Sequence, residues 1–172
     1  MKAAYVRAMG ALYIACIAVA GLCMVVMTLI IPAGVYARYV MNSALAWPEP
    51  AATVMMIYFS FIGGAAVYRA NVHIAVVALL DAVKPQARRI MLWAVDLCMI
   101  ATSLFMIYYG HALVRLTWPQ VVADFPWMPV GFTYLPIPIC GVLTTLFIVE
   151  RIWVGLPGEH SIMYSDKPVE LD

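Results

Sequence analysis

The residues of this sequence that could perform chemistry are ionisable side chains set in long apolar stretches. Asp96 and His111 lie within one such stretch, about residues 90–114, and His73 follows another. A carboxylate in an apolar setting can relay protons or bind a cation. Imidazole is a common axial ligand of haem iron. Ion coupling and haem binding are therefore the two chemistries to weigh.

Asp96 also has a structural interpretation. It lies less than two turns after Ile90, and Arg88 and Arg89 precede it near the same helix face. A local ion pair, or a hydrogen bond to a neighbouring helix, would satisfy the carboxylate. Contact with another subunit and an ion or proton relay are the alternatives, and the position near a helix end favours a structural role.

The remaining chemical groups do not form a catalytic pattern. His73 and His111 are expected near opposite faces of a membrane, so they cannot share one haem iron. The four cysteines lie in apolar runs without a C-x-x-C pair, and we find no phosphate loop, H-E-x-x-H motif or nucleophile elbow. We predict no enzyme activity, no catalytic residue, no metal site and no cofactor.

The elements that hold these residues follow from an apolar composition. The chain has 172 residues, of which 66% are hydrophobic and 11% charged, and its mean hydropathy is +0.95. Soluble domains carry about 25% charged residues, so this chain cannot cover a water-facing surface. The net charge of +1 argues against nucleic acid as a partner.

Four apolar runs are long enough to cross the hydrocarbon core, which takes about 20 helical residues. Backbone amides in lipid must be hydrogen-bonded within their own segment, so each run is predicted to be a helix. The spans lie at about residues 10–35, 50–69, 88–115 and 132–154. We predict one all-α integral membrane domain over residues 1–155 and a polar cytoplasmic tail over residues 156–172.

Residues 72–84 are too short to span a bilayer. His73, Asp81 and Lys84 share a narrow sector of the helical wheel, and the other residues are all Val, Ile, Ala or Leu. This pattern predicts a short amphipathic helix in the membrane interface between the second and third spans. The alternative is that the segment prolongs one of those spans.

The distribution of Lys and Arg predicts the orientation. Only Arg38 and Arg115 lie on one side of the spans, whereas eight basic residues lie on the other: Lys2, Arg7, Arg69, Lys84, Arg88, Arg89, Arg151 and Lys167. Cytoplasmic loops carry the excess of positive charge. Both termini are therefore predicted to be cytoplasmic.

Small residues and prolines suggest how the helices meet. Gly63 and Gly64 remove side-chain bulk from the second span, which favours a tight contact within the chain or with a partner. Pro136 and Pro138 open the fourth span, where each removes a backbone donor. A helix start is favoured there over the broken helix of a transporter binding site.

Charges at the ends of the spans need partners. Arg38 and Glu49 flank one short connection, so they could pair across it. Arg69 ends the second span, where lipid phosphates or a partner loop can reach it. We expect Arg69 and Asp96 to serve subunit or lipid contacts rather than sodium or substrate binding.

Several separated segments together resemble one family. The pattern Gly-x(5)-Arg-x(3)-His runs from Gly63 through Arg69 to His73. The other matching segments are Arg38-Tyr39-Val40, Ala46-Trp47-Pro48-Glu49, Trp127-Met128-Pro129 and Tyr134-Leu135-Pro136-Ile137-Pro138. Their order, their spacing and the four-span topology resemble the small membrane subunit of tripartite ATP-independent periplasmic (TRAP) transporters, the DctQ-like family.

The resemblance implies an accessory role in the bacterial inner membrane. Such a subunit binds stably to a large permease of roughly twelve spans, which carries the sodium and substrate sites. A periplasmic binding protein delivers the substrate, usually an organic acid, and makes transient contact with the membrane subunits. The small subunit serves as a scaffold and can help to dock the binding protein.

Contacts with the partner subunit or with lipids are predicted for a small set of residues. They are Arg38, Glu49, Gly63, Gly64, Arg69, His73 and Asp96. One departure from the family concerns this set. The family often has two adjacent acids at the start of the second span, whereas here Pro50 follows Glu49.

Two other functions compete with this hypothesis. The chain could anchor a redox enzyme and hold haem or quinone, or it could be a small homodimeric exporter. Such exporters typically need an acid in the first span for proton coupling, and residues 8–37 contain none. A haem protein would show a Soret band in its visible spectrum.

Overall fold

The computed structural model describes residues 2–43, 45–70 and 85–154 and shows a helical bundle with one small hairpin. The elements in chain order are α1 (Lys2–Tyr39), α2 (Pro48–Ala70), α3 (Pro85–Thr117), β1 (Val121–Val122), β2 (Phe125–Pro129), α4 (Val130–Tyr134) and α5 (Pro136–Val154). The amphipathic helix predicted at 72–84, with His73, and the tail at 156–172 lie outside the described residues.

Four helical segments are long and apolar enough to cross a membrane. They are Ala4–Tyr39, Pro48–Ala70, Trp93–Thr117 and Val130–Trp153. The fourth segment joins α4 to α5. The mostly helical structure thus has the four membrane-capable helices that the sequence predicts and is consistent with an all-α membrane protein.

Three of the helices begin at a proline. Pro48 starts α2, Pro85 starts α3 and Pro136 starts α5. The first residues of a helix have no intrahelical acceptor for their amides, so a residue without an N–H is tolerated there and its fixed φ suits the helix. The connection after α1 reverses through Asn42, whose φ of 51° lies in the left-handed region that asparagine tolerates better than most residues.

The two inner helices of the bundle are α2 and α5. They pack on each other, while α1 packs mainly on α2 and α3 mainly on α5. The most buried side chains of the core include Ala65 of α2 and Phe147 and Ile148 of α5. The outer helices α1 and α3 therefore expose the larger part of their surface to whatever surrounds the bundle.

The connection between α3 and α4 adds a short hairpin that the sequence did not predict to the otherwise helical bundle. Val121 pairs with Pro129 and Val122 with Phe125 in an antiparallel two-stranded ribbon. The prolines at 126 and 129 lack the amide that a helix needs, and extended backbone suits them. We call this end of the bundle the hairpin end. The opposite end, where α1 begins and α5 terminates, is called the terminal end.

Pro136 removes one backbone hydrogen bond from the fourth span, and the side chain of Tyr58 replaces it. Residue 136 would donate its amide to the carbonyl of Phe132 in a continuous helix, but Pro136 has none. The hydroxyl of Tyr58 in α2 donates to that carbonyl instead, at 2.9 Å. The helix resumes with bonds from Leu135 N to Gly131 O and from Ile139 N to Leu135 O. A helix therefore starts at Pro136, as predicted, but the proline lies within the fourth membrane-capable segment, which already begins at Val130.

The closest approach between helices occurs where the sequence did not suggest it. A Cβ built on Gly141 of α5 would lie 2.8 Å from the carbonyl oxygen of Ser103 in α3. One on Gly110 of α3 would lie 2.9 Å from Pro138. By contrast, a Cβ on Gly63 would meet Ala20 at 3.6 Å, and one on Gly64 would meet nothing within 4 Å. The tight helix contact lies between α3 and α5.

Candidate functional site

Four charged side chains of the spans and one tyrosine gather near the terminal end of the bundle. Three helices contribute to this group, which we call the ion-pair cluster: Tyr68 and Arg69 of α2, Asp96 of α3, and Glu150 and Arg151 of α5. Tyr5 near the start of α1 and Trp153 near the end of α5 are in ring contact at 5.4 Å. The cluster thus lies within a turn or two of that end.

A two-pronged ion pair between Arg69 and Glu150 forms the buried half of the cluster. Arg69 Nε lies 2.7 Å from Glu150 Oε2, and Arg69 Nη2 lies 2.8 Å from Oε1. The side chains are 12% and 4% exposed. This fork geometry satisfies both carboxylate oxygens and is the strongest form of charged hydrogen bond in proteins.

Aromatic rings complete the surroundings of the Arg69 guanidinium. Its Cζ lies 5.1 Å from the centroid of the Tyr13 ring of α1 and 5.6 Å from that of the Phe147 ring of α5. Both distances fall within the range of cation–π attraction. The single side chain of Arg69 therefore contacts three helices, namely its own, α1 and α5.

The other half of the cluster is centred on Asp96. Its Oδ1 accepts a hydrogen bond from the Tyr68 hydroxyl at 3.2 Å and lies 3.4 Å from Nε of Arg151. The Asp96 side chain is 14% exposed and that of Arg151 is 13% exposed. This bears out the expected hydrogen bond to a neighbouring helix, and the ion pair reaches a residue that the sequence did not suggest.

Glu150 is the functional residue that sequence reasoning missed. It lies one residue beyond the charge-free run of the fourth span and is 3% exposed. Arg69 lies one residue beyond the run of the second span. Two spans that leave the membrane on the same side, each followed by a charge of opposite sign, gave a signal for this pair.

The charges at the hairpin end behave differently. Arg38 Nη2 donates to Glu49 Oε1 at 2.8 Å, which confirms the pair predicted across the short connection. These side chains are 48% and 75% exposed. A pair this exposed contributes little to stability.

An apolar cavity of about 400 Å³ also opens at the hairpin end. It is lined by Trp47, Ala51, Val54, Met55, Phe125, Trp127, Met128, Pro129 and Phe132. The lining is almost entirely apolar, so the cavity offers shape and hydrophobic contact but no group that would orient a charged substrate.

The arrangement of the ion-pair cluster favours a structural task. Each of its two carboxylates is already engaged by an arginine. Within residues 2–43, 45–70 and 85–154, no three His, Cys, Asp or Glu side chains form a group that could hold a metal ion. The cluster links α2, α3 and α5 through charged hydrogen bonds, and it brings together two of the predicted residues, Arg69 and Asp96.

Comparison with known proteins identifies the relatives of this chain. Residues 27–158 match the sequence model of the DctQ component of tripartite ATP-independent periplasmic transporters. A Haemophilus influenzae protein that carries the name of a TRAP transporter small permease protein is 25% identical over 142 residues, which cover 83% of this chain and 85% of that protein. The chain belongs to the DctQ family of TRAP transporter components.

Proposed function

We propose that this chain is the scaffold subunit of a sodium-coupled TRAP transporter that imports organic acids. It forms a stable complex with the large permease subunit in the bacterial inner membrane. A periplasmic binding protein brings the substrate and contacts the complex transiently. The family match over residues 27–158 supports the transporter component, and the following observation supports the scaffold role.

That observation is the internal pairing of the intramembrane acids. Asp96 and Glu150 lie in the segments Trp93–Thr117 and Val130–Trp153, and arginines of the same chain hold both. Ion coupling needs a carboxylate that can exchange its partner for a proton or a cation. A carboxylate fixed in a two-pronged arginine pair is suited to hold helices together.

Assembly with the large subunit provides the test. A tag on this chain should co-purify a much larger membrane protein, and vesicles that hold both should take up substrate with the binding protein and sodium present. Vesicles that hold this chain alone should take up none. Uptake by the chain alone would show that it is a transporter by itself.

The orientation belongs to the same proposal. The excess of Lys and Arg on one side favours cytoplasmic termini, so the terminal end of the bundle would face the cytoplasm and the hairpin end the periplasm. Alkaline phosphatase fused after Asp172 should be inactive, and the same enzyme inserted between Arg38 and Glu49 should be active. The reverse pattern would contradict this orientation.

A further inference from the structure

One face of α3 points away from the bundle and carries polar groups that the bundle does not use. We call the outward-facing side chains of Tyr108, His111 and Arg115 the α3 face. Tyr108 is 72% exposed, and His111 and Arg115 are exposed as well. Their spacing of three and four residues puts them on one side of the helix.

Two of these residues lie deep in the apolar part of the span. The segment Trp93–Thr117 has its midpoint at about residue 105. Gly141, near the midpoint of Val130–Trp153, packs against Ser103 and Ile107, which supports this depth. At 1.5 Å per residue, Tyr108 lies about 5 Å and His111 about 9 Å beyond the midpoint, inside the half-thickness of about 15 Å.

The polar atoms of the α3 face have no partner among the described residues. The Tyr108 ring touches the Tyr109 ring edge-on at 5.1 Å, but no hydrogen bond from its hydroxyl, from His111 or from Arg115 to the described part of the chain is formed. A polar group left in hydrocarbon without a hydrogen bond is costly. Lipid tails cannot provide one, so another protein surface is needed.

The exposed surface of α1 gives the contrast. Near the middle of α1 the outward side chains include the aliphatic residues Leu22, Val25 and Leu29. The one hydroxyl in that stretch, on Thr28, is satisfied by the carbonyl of Met24 at 2.8 Å. Acyl chains can cover such a surface without loss. The exposed surface of α1 can therefore face lipid, whereas the α3 face needs hydrogen-bonding partners.

We propose that the α3 face is the surface on which the large permease subunit docks. The partner helix presents hydrogen-bond acceptors opposite Tyr108 and His111 and a carboxylate opposite Arg115. The charge of the α3 face favours a different protein over a second copy of this chain as the partner. The α3 face holds one cation and two hydrogen-bond donors and has no acid of its own, so two copies of it would not complement each other. The inference rests on the proposed function and adds to it the side on which the partner lies.

Photo-crosslinking in the intact complex tests the position of the partner. A photoreactive phenylalanine derivative replaces Tyr108 in one variant and Leu22 on α1 in the matched control. Both are incorporated into the tagged chain, co-expressed with the large subunit and irradiated in membranes. We expect the large subunit to be captured from position 108 and not from position 22.

Affinity tests the chemistry of the contact. An interhelical hydrogen bond in a membrane contributes about 0.6 kcal/mol, or about threefold in affinity. The double substitution Tyr108→Phe/His111→Leu should thus weaken binding of the large subunit in lipid nanodiscs about eightfold. Tyr36→Phe, at an exposed tyrosine of α1, should leave it unchanged. Thermal stability of the free chain should be the same for all three proteins.

The outcomes separate this inference from the proposed function. If the large subunit co-purifies but is captured from position 22, or if position 108 captures a second copy of this chain or only lipid, the docking surface is wrong and the proposed function stands. An unchanged affinity of the double variant would also overturn the inference. If no large subunit co-purifies with the unmodified chain, both fail.

Discussion

The ion pair between Arg69 and Glu150 should be the most strongly coupled contact in the bundle. Arg69→Met leaves a carboxylate that is 4% exposed without its cation, and removing one partner of a buried pair costs about 3–5 kcal/mol. Glu150→Leu should cost less, because the rings of Tyr13 and Phe147 still contact the guanidinium. The double variant should lie within about 2 kcal/mol of the natural chain, since apolar replacement of a buried pair is often close to neutral.

The measurement is a double-mutant cycle on the free energy of unfolding. SDS titration of the purified chain in mixed micelles gives that energy for the natural protein, the two single variants and the double variant. The expected coupling is about 3 kcal/mol or more. The same cycle on Arg38 and Glu49, which are 48% and 75% exposed, provides the control and should give about 0–1 kcal/mol.

Two results would refute this reasoning. Equal coupling in the two cycles would mean that burial does not determine the strength of the pair. A double variant as unstable as Arg69→Met alone would mean that the cost comes from lost packing around the arginine stem and not from an unpaired charge.

Three further predictions concern packing, the helix break and the scaffold role. Gly141→Ala should destabilise the chain by about 1–3 kcal/mol in the same titration. Gly64→Ala should leave the free energy of unfolding unchanged or raise it by up to about 1 kcal/mol, because alanine favours the helix and its Cβ meets nothing within 4 Å. Tyr58→Phe should cost about 0.6–1.7 kcal/mol, and less in a Pro136→Ala background, where residue 136 regains its amide. Asp96→Asn should lower the yield of the two-subunit complex, while the complex that assembles keeps its sodium dependence and substrate preference in uptake assays.

Each of these predictions has a contrary outcome. Similar effects of alanine at Gly141 and Gly64 would place the close helix contact elsewhere. An undiminished cost of Tyr58→Phe beside Pro136→Ala would show that the hydroxyl does not replace the missing amide. A shifted sodium dependence in fully assembled Asp96→Asn complexes would give this subunit a part in ion coupling.

Features that depend on neighbouring residues could be predicted from the sequence. The four spans follow from long, predominantly apolar runs, because lipid forces each run to satisfy its own amides. The pair of Arg38 and Glu49 follows from a connection too short to keep the two apart. A hydrogen bond from Asp96 to a neighbouring helix was one of the interpretations of this residue, beside a local ion pair and contact with another subunit, because a lone carboxylate in a span needs a partner.

Features that depend on which helices are neighbours could not be predicted. Most faces of these helices are apolar, so periodicity does not show which face meets which helix. The positions of Arg69 and Glu150, each one residue past an apolar run, are a signal for this pair, but they do not show that α2 and α5 are neighbours. The hydrogen bond by which Tyr58 replaces the one lost at Pro136 also joins two helices, so no local sequence pattern predicts it. The hairpin was not predicted because residues 125–129 continue the charge-free run of the fourth span.

The pairing of the intramembrane charges has a consequence for biogenesis. Arg69 and Asp96 insert with α2 and α3, but their partners Glu150 and Arg151 both belong to α5, which leaves the ribosome after the other helices that the structure describes. Glu150 follows Arg69 by 81 residues, or about 4–16 s of synthesis at roughly 5–20 residues per second. Until then the nascent chain holds charges of both signs that its finished form pairs with α5. A product truncated before α5 keeps them exposed, and membrane quality control can distinguish it from the complete subunit by that feature.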